Sequence, residues 1–449
     1  METSTARKQE APLEQTLPSL GTSIKELLSL IAITAAAGFL GKTYQLLDQA
    51  FAARLSAEHL AAHVFTSYVH FFFFRFSIVL GIGLIILLGK STANSDRSTY
   101  LTGASIVSLL VSSFVAGAAI LFFFVGPIDP KIMQVDGASA YFSLLTLAAI
   151  PLSLNTVFKY AAIANRTPKV FLLAEIIGTS INAAGNYIAV QTLPTVAMKF
   201  SGIAATTLVV QIVLSLYYFR RFGPELMWKF SALADFWRRA KKLLAQESSN
   251  TALEVAAPIL LTLLYSTFGG ISLMNAYNVG LAMTDFFAVP MYALILMGTA
   301  WLAPAWQSGI QGAIKLKLRS IRILSIALVI APVVAMIAVM PGILRIGFNI
   351  TDDLAVTTAR LSLLGLIPLA FAIPSIAAIR NAENPKLLSY GQLMAVYLIG
   401  MPAFYILNAN GFSKLAILAS VAVPQVIQAS AYVVFLSMVL KQKMKEVLV

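Results

Sequence analysis

The sequence predicts an all-α integral membrane protein of twelve transmembrane helices, arranged as two six-helix lobes related by pseudo-twofold symmetry. Composition is the first reason: 59% of the 449 residues are hydrophobic and only 11% are charged, too little polar surface for a soluble protein. The second is a motif that recurs 217 residues along the chain. The third is the alternation of basic residues between the two sides of the predicted spans.

Twelve apolar runs are long enough to cross a bilayer, which takes about 20 residues of helix. We place them at residues 27–53, 61–88, 100–125, 138–164, 169–190, 202–219, 253–273, 279–304, 320–346, 354–379, 387–408 and 413–440. Lys and Arg near span ends collect on the cytoplasmic side of membrane proteins. With both termini inside, the termini and even-numbered loops hold 23 basic residues and the outer loops hold five. The net charge of +13 therefore reflects topology, and we expect no nucleic-acid partner.

The internal repeat is an Ile-Pro-Leu motif followed by a Pro-Lys turn. It runs from Ile150 to Lys169 and again from Ile367 to Lys386. In both copies an Ala-Ala-Ile-x-Asn stretch precedes the turn, at Ala161 to Asn165 and at Ala377 to Asn381. Since each half holds six spans of the same orientation, the halves are related by an axis along the membrane normal.

Between the halves lies a long polar segment whose mixture of aromatic and basic residues is typical of a helix lying on anionic lipid. We predict a disordered cytoplasmic N-terminus over residues 1–23, an N-lobe over 24–220, a cytoplasmic linker over 221–250, a C-lobe over 251–440 and a cytoplasmic C-terminus over 441–449. We expect a multi-pass protein of the cell membrane, in a bacterial inner membrane, with both termini cytoplasmic. A monomer suffices for this architecture.

Several motifs give the chain a resemblance to the multidrug and toxic compound extrusion (MATE) family of the wider flippase and exporter superfamily. They are Leu47-Asp48 with Leu60-Ala61-Ala62, the turn from Asn165 to Lys169, the pair Asn182 and Asn186, and Gly202 to Thr206. The resemblance covers nearly the whole chain. It implies two lobes around a central cavity that opens alternately to either side, driven by an inward proton or sodium gradient.

By this resemblance, Asp48 is the carboxylate that takes up the coupling cation. A carboxylate in a low-dielectric interior can load a proton or be neutralised by sodium. Tyr44 lies one turn away, and Asn182 and Asn186, also one turn apart, can supply carbonyl oxygens to the same site. Where the family often has a second carboxylate, this chain has Asn186, so the choice between proton and sodium stays open. We expect no cofactor beyond this ion.

Charged residues inside other spans predict the substrate cavity. Arg75 and Lys42 lie near mid-membrane, and a guanidinium there needs an anion nearby. That anion is either Asp48, in a structural pair with Arg75 or Lys42, or an acidic group of the substrate. Asp285 either holds a cationic part of the substrate or faces neighbouring helices as a satisfied carboxylate.

Other polar residues have simpler interpretations. We expect Lys159 and Glu175 to form a structural ion pair. The three histidines, His59, His63 and His70, fall at the outer end of the second span, and we expect a surface face near the headgroups and no metal site.

The sequence therefore predicts a secondary exporter of a small organic molecule, anionic or zwitterionic, such as a carboxylate siderophore or another acidic metabolite. The alternative is a flippase of a lipid-linked saccharide, which shares the duplicated lobes. We do not expect an enzyme, because no His-Glu-x-x-His or Gly-x-Ser-x-Gly motif is present. The absence of cysteine excludes disulfides, thiolate metal sites and cysteine nucleophiles.

Overall fold

The computed structural model describes residues 18–56, 58–60, 62–63, 66, 75–91, 93–125, 134–227, 229–348 and 353–448. Within these ranges the regular structure is helical. Nine of the described helices are long and apolar enough to cross a membrane, and Phe76–Lys90 is a shorter apolar helix. The all-helical membrane fold is confirmed, while the count of twelve spans stays a prediction. The residues before 18 and His70 lie outside the described ranges.

The helices of the first half are α1 (Leu20–Leu55), α2 (Phe76–Lys90), α3 (Asn94–Val125), α4 (Ala138–Ala164), α5 (Pro168–Thr192) and α6 (Val196–Phe222). Those of the second half are α7 (Phe230–Phe287), α8 (Val289–Ser308), α9 (Gln311–Ser325), α10 (Ala331–Phe348), α11 (Asp353–Leu364), α12 (Leu366–Asn381), α13 (Lys386–Gln392), α14 (Met401–Ala409) and α15 (Ser413–Leu448). Short π-helical segments at Ile326–Ile330 and Leu393–Gly400 join α9 to α10 and α13 to α14. The fourth predicted span matches α4 at both ends, whereas α1 and α9 begin several residues before their predicted spans.

Helix α7 contains the predicted linker and the seventh span in one helical element of 58 residues. It is not a straight rod. In a straight α-helix, residues twelve apart lie about 18 Å apart along the axis. The rings of Tyr265 and Tyr277 instead lie 4.7 Å apart, so the chain reverses between them. This reversal separates the seventh span from the eighth, which continues through α8 after Pro290 ends the helical ladder near Ala288.

The two copies of the repeat end their helices in the same way. In the first copy, the backbone N–H groups of residues 165, 166 and 167 donate to the carbonyls of residues 161, 163 and 162. The second copy repeats all three bonds 217 residues later, and Arg166 and Glu383 share the left-handed conformation with φ of 55°. The register of 217 places Asn165 opposite Ala382. The two asparagines of the Ala-Ala-Ile-x-Asn stretches are therefore not structural equivalents.

The lobes are joined at the predicted cytoplasmic end. One large apolar cluster includes residues of both lobes, among them Leu27 and Leu88 of the first and Trp306 and Ile379 of the second. An ion pair from Lys90 to Glu383, at 2.8 Å, crosses between the lobes at the same end. Nearer the predicted outer end, two smaller apolar clusters each draw on one lobe alone. The described part of the chain thus has its lobes closed at the predicted cytoplasmic end and separate toward the predicted outer end.

The start of α7 packs against the first lobe as well as lying near the lipid. Phe236 is buried against Gly103 of α3, and the Arg239 guanidinium donates to the Tyr100 hydroxyl at 2.8 Å. The linker is therefore a docked helix that connects the two lobes.

Candidate functional site

Asp48 lies buried inside the first lobe and accepts three hydrogen bonds from neutral side chains. The amide groups of Asn182 and Asn186 donate to its Oδ1 at 2.9 Å and 2.6 Å. The hydroxyl of Thr207 donates to Oδ2 at 3.2 Å. Helices α1, α5 and α6 each contribute to this cluster, which we call the Asp48 site.

Helix geometry explains why these side chains converge. Asn182 and Asn186 are one turn apart on the buried face of α5, and the amide of Asn186 also donates to Asn182 Oδ1 at 3.1 Å. Thr207 lies on the buried face of α6. The grouping of Asp48 with both asparagines is the arrangement that the sequence predicts, and Thr207 is an addition from the structure.

Two oxygens in this region are left with spare hydrogen-bonding capacity. Asn186 Oδ1 is buried and accepts no hydrogen bond from any described residue. The buried Tyr44 hydroxyl lies beside Thr207 and Gln211 but makes no hydrogen bond of ordinary geometry to the described side chains. Buried polar atoms are usually satisfied, so such atoms mark a place where a bound species can complete the bonding.

The alternative in which Asp48 forms an ion pair with Lys42 or Arg75 is not what the described residues show. Lys42 Nζ instead lies 3.6 Å from Asp285 Oδ2. The two side chains are 37% and 49% exposed, and they belong to different lobes. Nearby, the rings of Phe39 and Phe286 also meet across the lobes, at 5.1 Å. Lys42 and Asp285 thus face each other in the space between the lobes.

Arg75 stands just before the start of α2, at its N-cap position. Its charge acts on Tyr292, which also feels Asp285 and Glu254 of the second lobe. The predicted cavity residues Arg75, Lys42 and Asp285 therefore lie around one region between the lobes. This region is distinct from the Asp48 site, whose hydrogen-bond partners all belong to the first lobe.

The predicted pair of Lys159 and Glu175 is confirmed, with 3.8 Å between Lys159 Nζ and Glu175 Oε1. Both residues lie on the inner part of the first lobe, where Glu175 also packs against Gly41 of α1. We assign this pair a structural role.

The expectation that the histidines form a surface face is wrong for the two that are described. His59 and His63 are buried. His63 Nδ1 is hydrogen-bonded to the Tyr141 hydroxyl at 2.5 Å, and His59 Nε2 to the carbonyl oxygen of Asp136 at 3.2 Å. Since the rings bind separate partners, they do not converge on a common ligand.

Tyr141 belongs to an apolar layer one turn outward from the Asp48 site. The layer includes Ala52, four residues after Asp48, and Ile203, four residues before Thr207. Its position on the outer side of Asp48 was not predicted, because sequence spacing within one helix does not show which helices meet.

A second buried ionic cluster lies in the C-terminal half and was also not predicted. Glu247, placed by the sequence in a cytoplasmic linker, is 0% exposed and accepts from Arg380 Nε at 3.0 Å. One and two turns further along α7, Asn250 donates to Glu254 Oε1 at 3.0 Å. The repeat contained a usable signal: the register of 217 pairs Arg380 with the apolar Ile163 of the first lobe, which marks the arginine as special to the second lobe.

Comparison with known proteins agrees with the resemblance found in the sequence. Residues 34–188 match the MatE family model. A search of curated proteins gave no significant match.

Several solved structures share the fold over nearly the whole chain. A MATE protein in complex with MaL6 is 15% identical, with a TM-score of 0.82 over 94% of this chain and 97% of that one. A multidrug resistance MATE family transporter of the MOP superfamily, in an outward-facing conformation, is 15% identical, with a TM-score of 0.82 over 94% and 96%. A MOP superfamily transporter from Pyrococcus furiosus is 15% identical, with a TM-score of 0.79 over 94% and 97%. The fold is that of multi-pass membrane transporters and not of an enzyme.

Proposed function

We infer that the chain is a membrane exporter of the MATE type, because residues 34–188 match the MatE family model and the fold is that of solved MATE transporters. We propose that it is a secondary antiporter in which inward flow of protons or sodium through the Asp48 site drives a small organic molecule outward. The observation that carries this proposal is the burial of Asp48 beneath three neutral donors, with no described basic side chain paired to it. A carboxylate in such a place is suited to bind a transported cation.

The side chains of the Asp48 site support binding and release of that cation. With Asp48 ionised, the N–H groups of Asn182 and Asn186 and the hydroxyl of Thr207 stabilise the carboxylate. A terminal amide carries a carbonyl oxygen opposite its N–H₂ group, so rotation of either asparagine replaces a donor by an acceptor. The site can therefore stabilise the charged carboxylate alone and can also offer oxygens to a bound sodium ion.

The charges between the lobes support an anionic or zwitterionic substrate. Two basic groups, Arg75 and Lys42, share this region with one carboxylate, Asp285. Lys42 and Asp285 are each partly exposed, so a substrate with a carboxylate and an amine can replace each partner of their ion pair. The P. furiosus transporter of the same fold is described as having a binding pocket of reverse polarity that suggests a different function. We take that description as support for a pocket of unusual charge in this fold.

The alternative function, flipping of a lipid-linked saccharide, calls for several arginines that face the cavity and hold a diphosphate. The described polar centre of the first lobe is instead a carboxylate with two asparagines. This arrangement favours ion-coupled export.

Uptake into inverted membrane vesicles tests the proposal. A carboxylate siderophore and a lipophilic cation are supplied separately, with a proton or a sodium gradient imposed, to the original protein and to Asp48→Asn. We expect gradient-driven uptake of the siderophore by the original protein and its loss in Asp48→Asn, since the amide neither binds a proton nor carries the charge that attracts sodium. Lys42→Gln should reduce uptake of the siderophore more than uptake of the cation.

Two results would count against the proposal. Uptake that stays coupled to the gradient in Asp48→Asn would remove Asp48 from the coupling step. No uptake of either compound by a folded protein would favour the flippase.

A further inference from the structure

An apolar groove runs along the seam between the lobes on the predicted cytoplasmic half of the molecule. Its volume is about 620 Å³. One wall consists of Phe76, Val79 and Leu80 on α2, and a second of Val107 and Val111 on α3. The third wall is the start of α7, so the groove is built from both lobes.

The wall formed by α7 carries a basic and aromatic rim. Trp237, Lys241 and Leu244 line the groove at helical spacings of four and three residues, and Lys242 lies beside them. The Trp237 ring is 52% exposed. A tryptophan with lysines next to apolar surface is the combination that proteins place at the level of lipid headgroups.

The two lysines have no acidic partner among the described residues. The acidic residues of this helical segment are engaged elsewhere: Asp235 pairs with Arg238 and Glu247 with Arg380. Lys241 and Lys242 are exposed at the rim, so their charges are available to an anion that enters the groove.

The groove is placed at the right depth for one leaflet of a bilayer. Leu244 packs against Gly83, which lies seven residues, or about 10 Å of helix, from the predicted inner end of α2 at Lys90. Phe76 lies fourteen residues, or about 21 Å, from the same end. Because half of a hydrocarbon core is about 15 Å thick, the groove extends from near the inner interface to the membrane centre.

We propose that this groove is a binding site for an anionic phospholipid of the cytoplasmic leaflet. The acyl chain lies against α2 and α3, and Lys241 and Lys242 hold the phosphate of the headgroup. Because α2 and α3 belong to one lobe and α7 leads into the other, the bound lipid stabilises the state in which the lobes are closed at this end. The site does not depend on the identity of the transported substrate or of the coupling ion.

The test is lipid binding to the purified full-length protein in detergent, measured by native mass spectrometry and by thermal unfolding. The probes are a phosphatidylglycerol, a phosphatidylcholine with the same acyl chains, and glycerol 3-phosphate. The variants are Lys241→Gln/Lys242→Gln, the control Arg220→Gln/Arg221→Gln, which removes two exposed charges from the predicted inner end of α6, and Val111→Trp, which fills the groove and keeps both lysines.

We expect phosphatidylglycerol to bind and to raise the unfolding temperature of the original protein and of the arginine control. Its affinity should fall about tenfold or more in the double lysine variant, since two nearby basic side chains are removed. Val111→Trp should weaken phosphatidylglycerol binding as well. Phosphatidylcholine and glycerol 3-phosphate should bind weakly to all four proteins, because the first lacks the net charge and the second lacks the chain.

Equal binding of the two phospholipids would overturn the proposal, as would an unchanged affinity in the double lysine variant. Tight binding of glycerol 3-phosphate alone would indicate a soluble phosphate ligand instead. Undiminished binding to Val111→Trp would place the lipid outside the groove.

Discussion

At the scale of single residues, the Asp48 site is distinguished by how its hydrogen bonds are distributed. Asn186 takes part in two of them, as a donor to Asp48 and to Asn182, while Asn182 donates one and accepts one. Hydrogen bonds to a charged group contribute about 1.5–3 kcal/mol each, more than neutral ones. Asn186 is therefore expected to affect the site more strongly than Asn182.

We predict that Asn182→Ala and Asn186→Ala each weaken ion-coupled transport by about ten- to one-hundredfold, with the larger loss in Asn186→Ala. The reason is that each variant removes a donor to the carboxylate and a carbonyl oxygen that a cation can use. The measurement is the apparent affinity for the driving ion in proteoliposomes. Asn410→Ala is the control, because Asn410 is exposed and donates only within its own helix, to the carbonyl of Ile406. An unchanged ion affinity in Asn186→Ala would contradict the prediction.

At the scale of elements, the close approach of α3 to the start of α7 depends on a glycine. A Cβ on Gly103 would overlap Cβ of Phe236 and lie 2.7 Å from the carbonyl oxygen of Ala232. Backbone cannot move aside as a flexible side chain can, so α7 would have to shift away from the first lobe. The helix that connects the two lobes is thus held in place by the absence of one side chain.

We predict that Gly103→Ala lowers stability by about 1–3 kcal/mol, the usual cost of overpacking a close contact. Gly117→Ala on the same helix is the matched control, since nothing lies within 4 Å of a Cβ placed there. Alanine is a better helix former than glycine by about 1 kcal/mol, so the control should be neutral or slightly stabilising. Thermal unfolding in detergent, followed by size-exclusion chromatography, measures both. A Gly103→Ala protein as stable as Gly117→Ala would show that α7 docks by other contacts.

At the scale of the whole molecule, the described contacts between the lobes are concentrated at the predicted cytoplasmic end. Closing and opening that end is a rearrangement of α2, α8 and α12 about the shared apolar cluster and the pair of Lys90 and Glu383. Alternating access by this molecule requires that these contacts break during each transport cycle.

A disulfide across the closed end tests this requirement. A Cβ on Gly89 of α2 would lie 2.8 Å from Cβ of Ala303 of α8, close to the separation of about 3.8 Å found in disulfides. We predict that Gly89→Cys/Ala303→Cys forms a disulfide on oxidation, loses transport and recovers it on reduction. The chain has no cysteine of its own, so every crosslink comes from the introduced pair.

The control is Gly117→Cys/Ala303→Cys, in which the first position has no neighbour within 4 Å. It should neither crosslink nor lose transport on oxidation. Full transport by completely crosslinked Gly89→Cys/Ala303→Cys would contradict movement of the lobes at this end.

The sequence by itself determined the membrane class, the positions of most helices and the duplication, because hydropathy and helix periodicity are local properties. The same locality allowed part of the Asp48 site to be predicted. Asn182 and Asn186 had to share a face of α5, and family resemblance placed Asp48 with them.

Only the tertiary structure decided which polar groups meet across helices. Lys42 pairs with Asp285 in the other lobe, His63 binds Tyr141, and Glu247 is buried against Arg380. These partners are distant in the sequence, and each pairing depends on how two helices pack and at what depth. A burial pattern along one helix carries no information about its neighbour, so a charged residue read alone cannot reveal its partner.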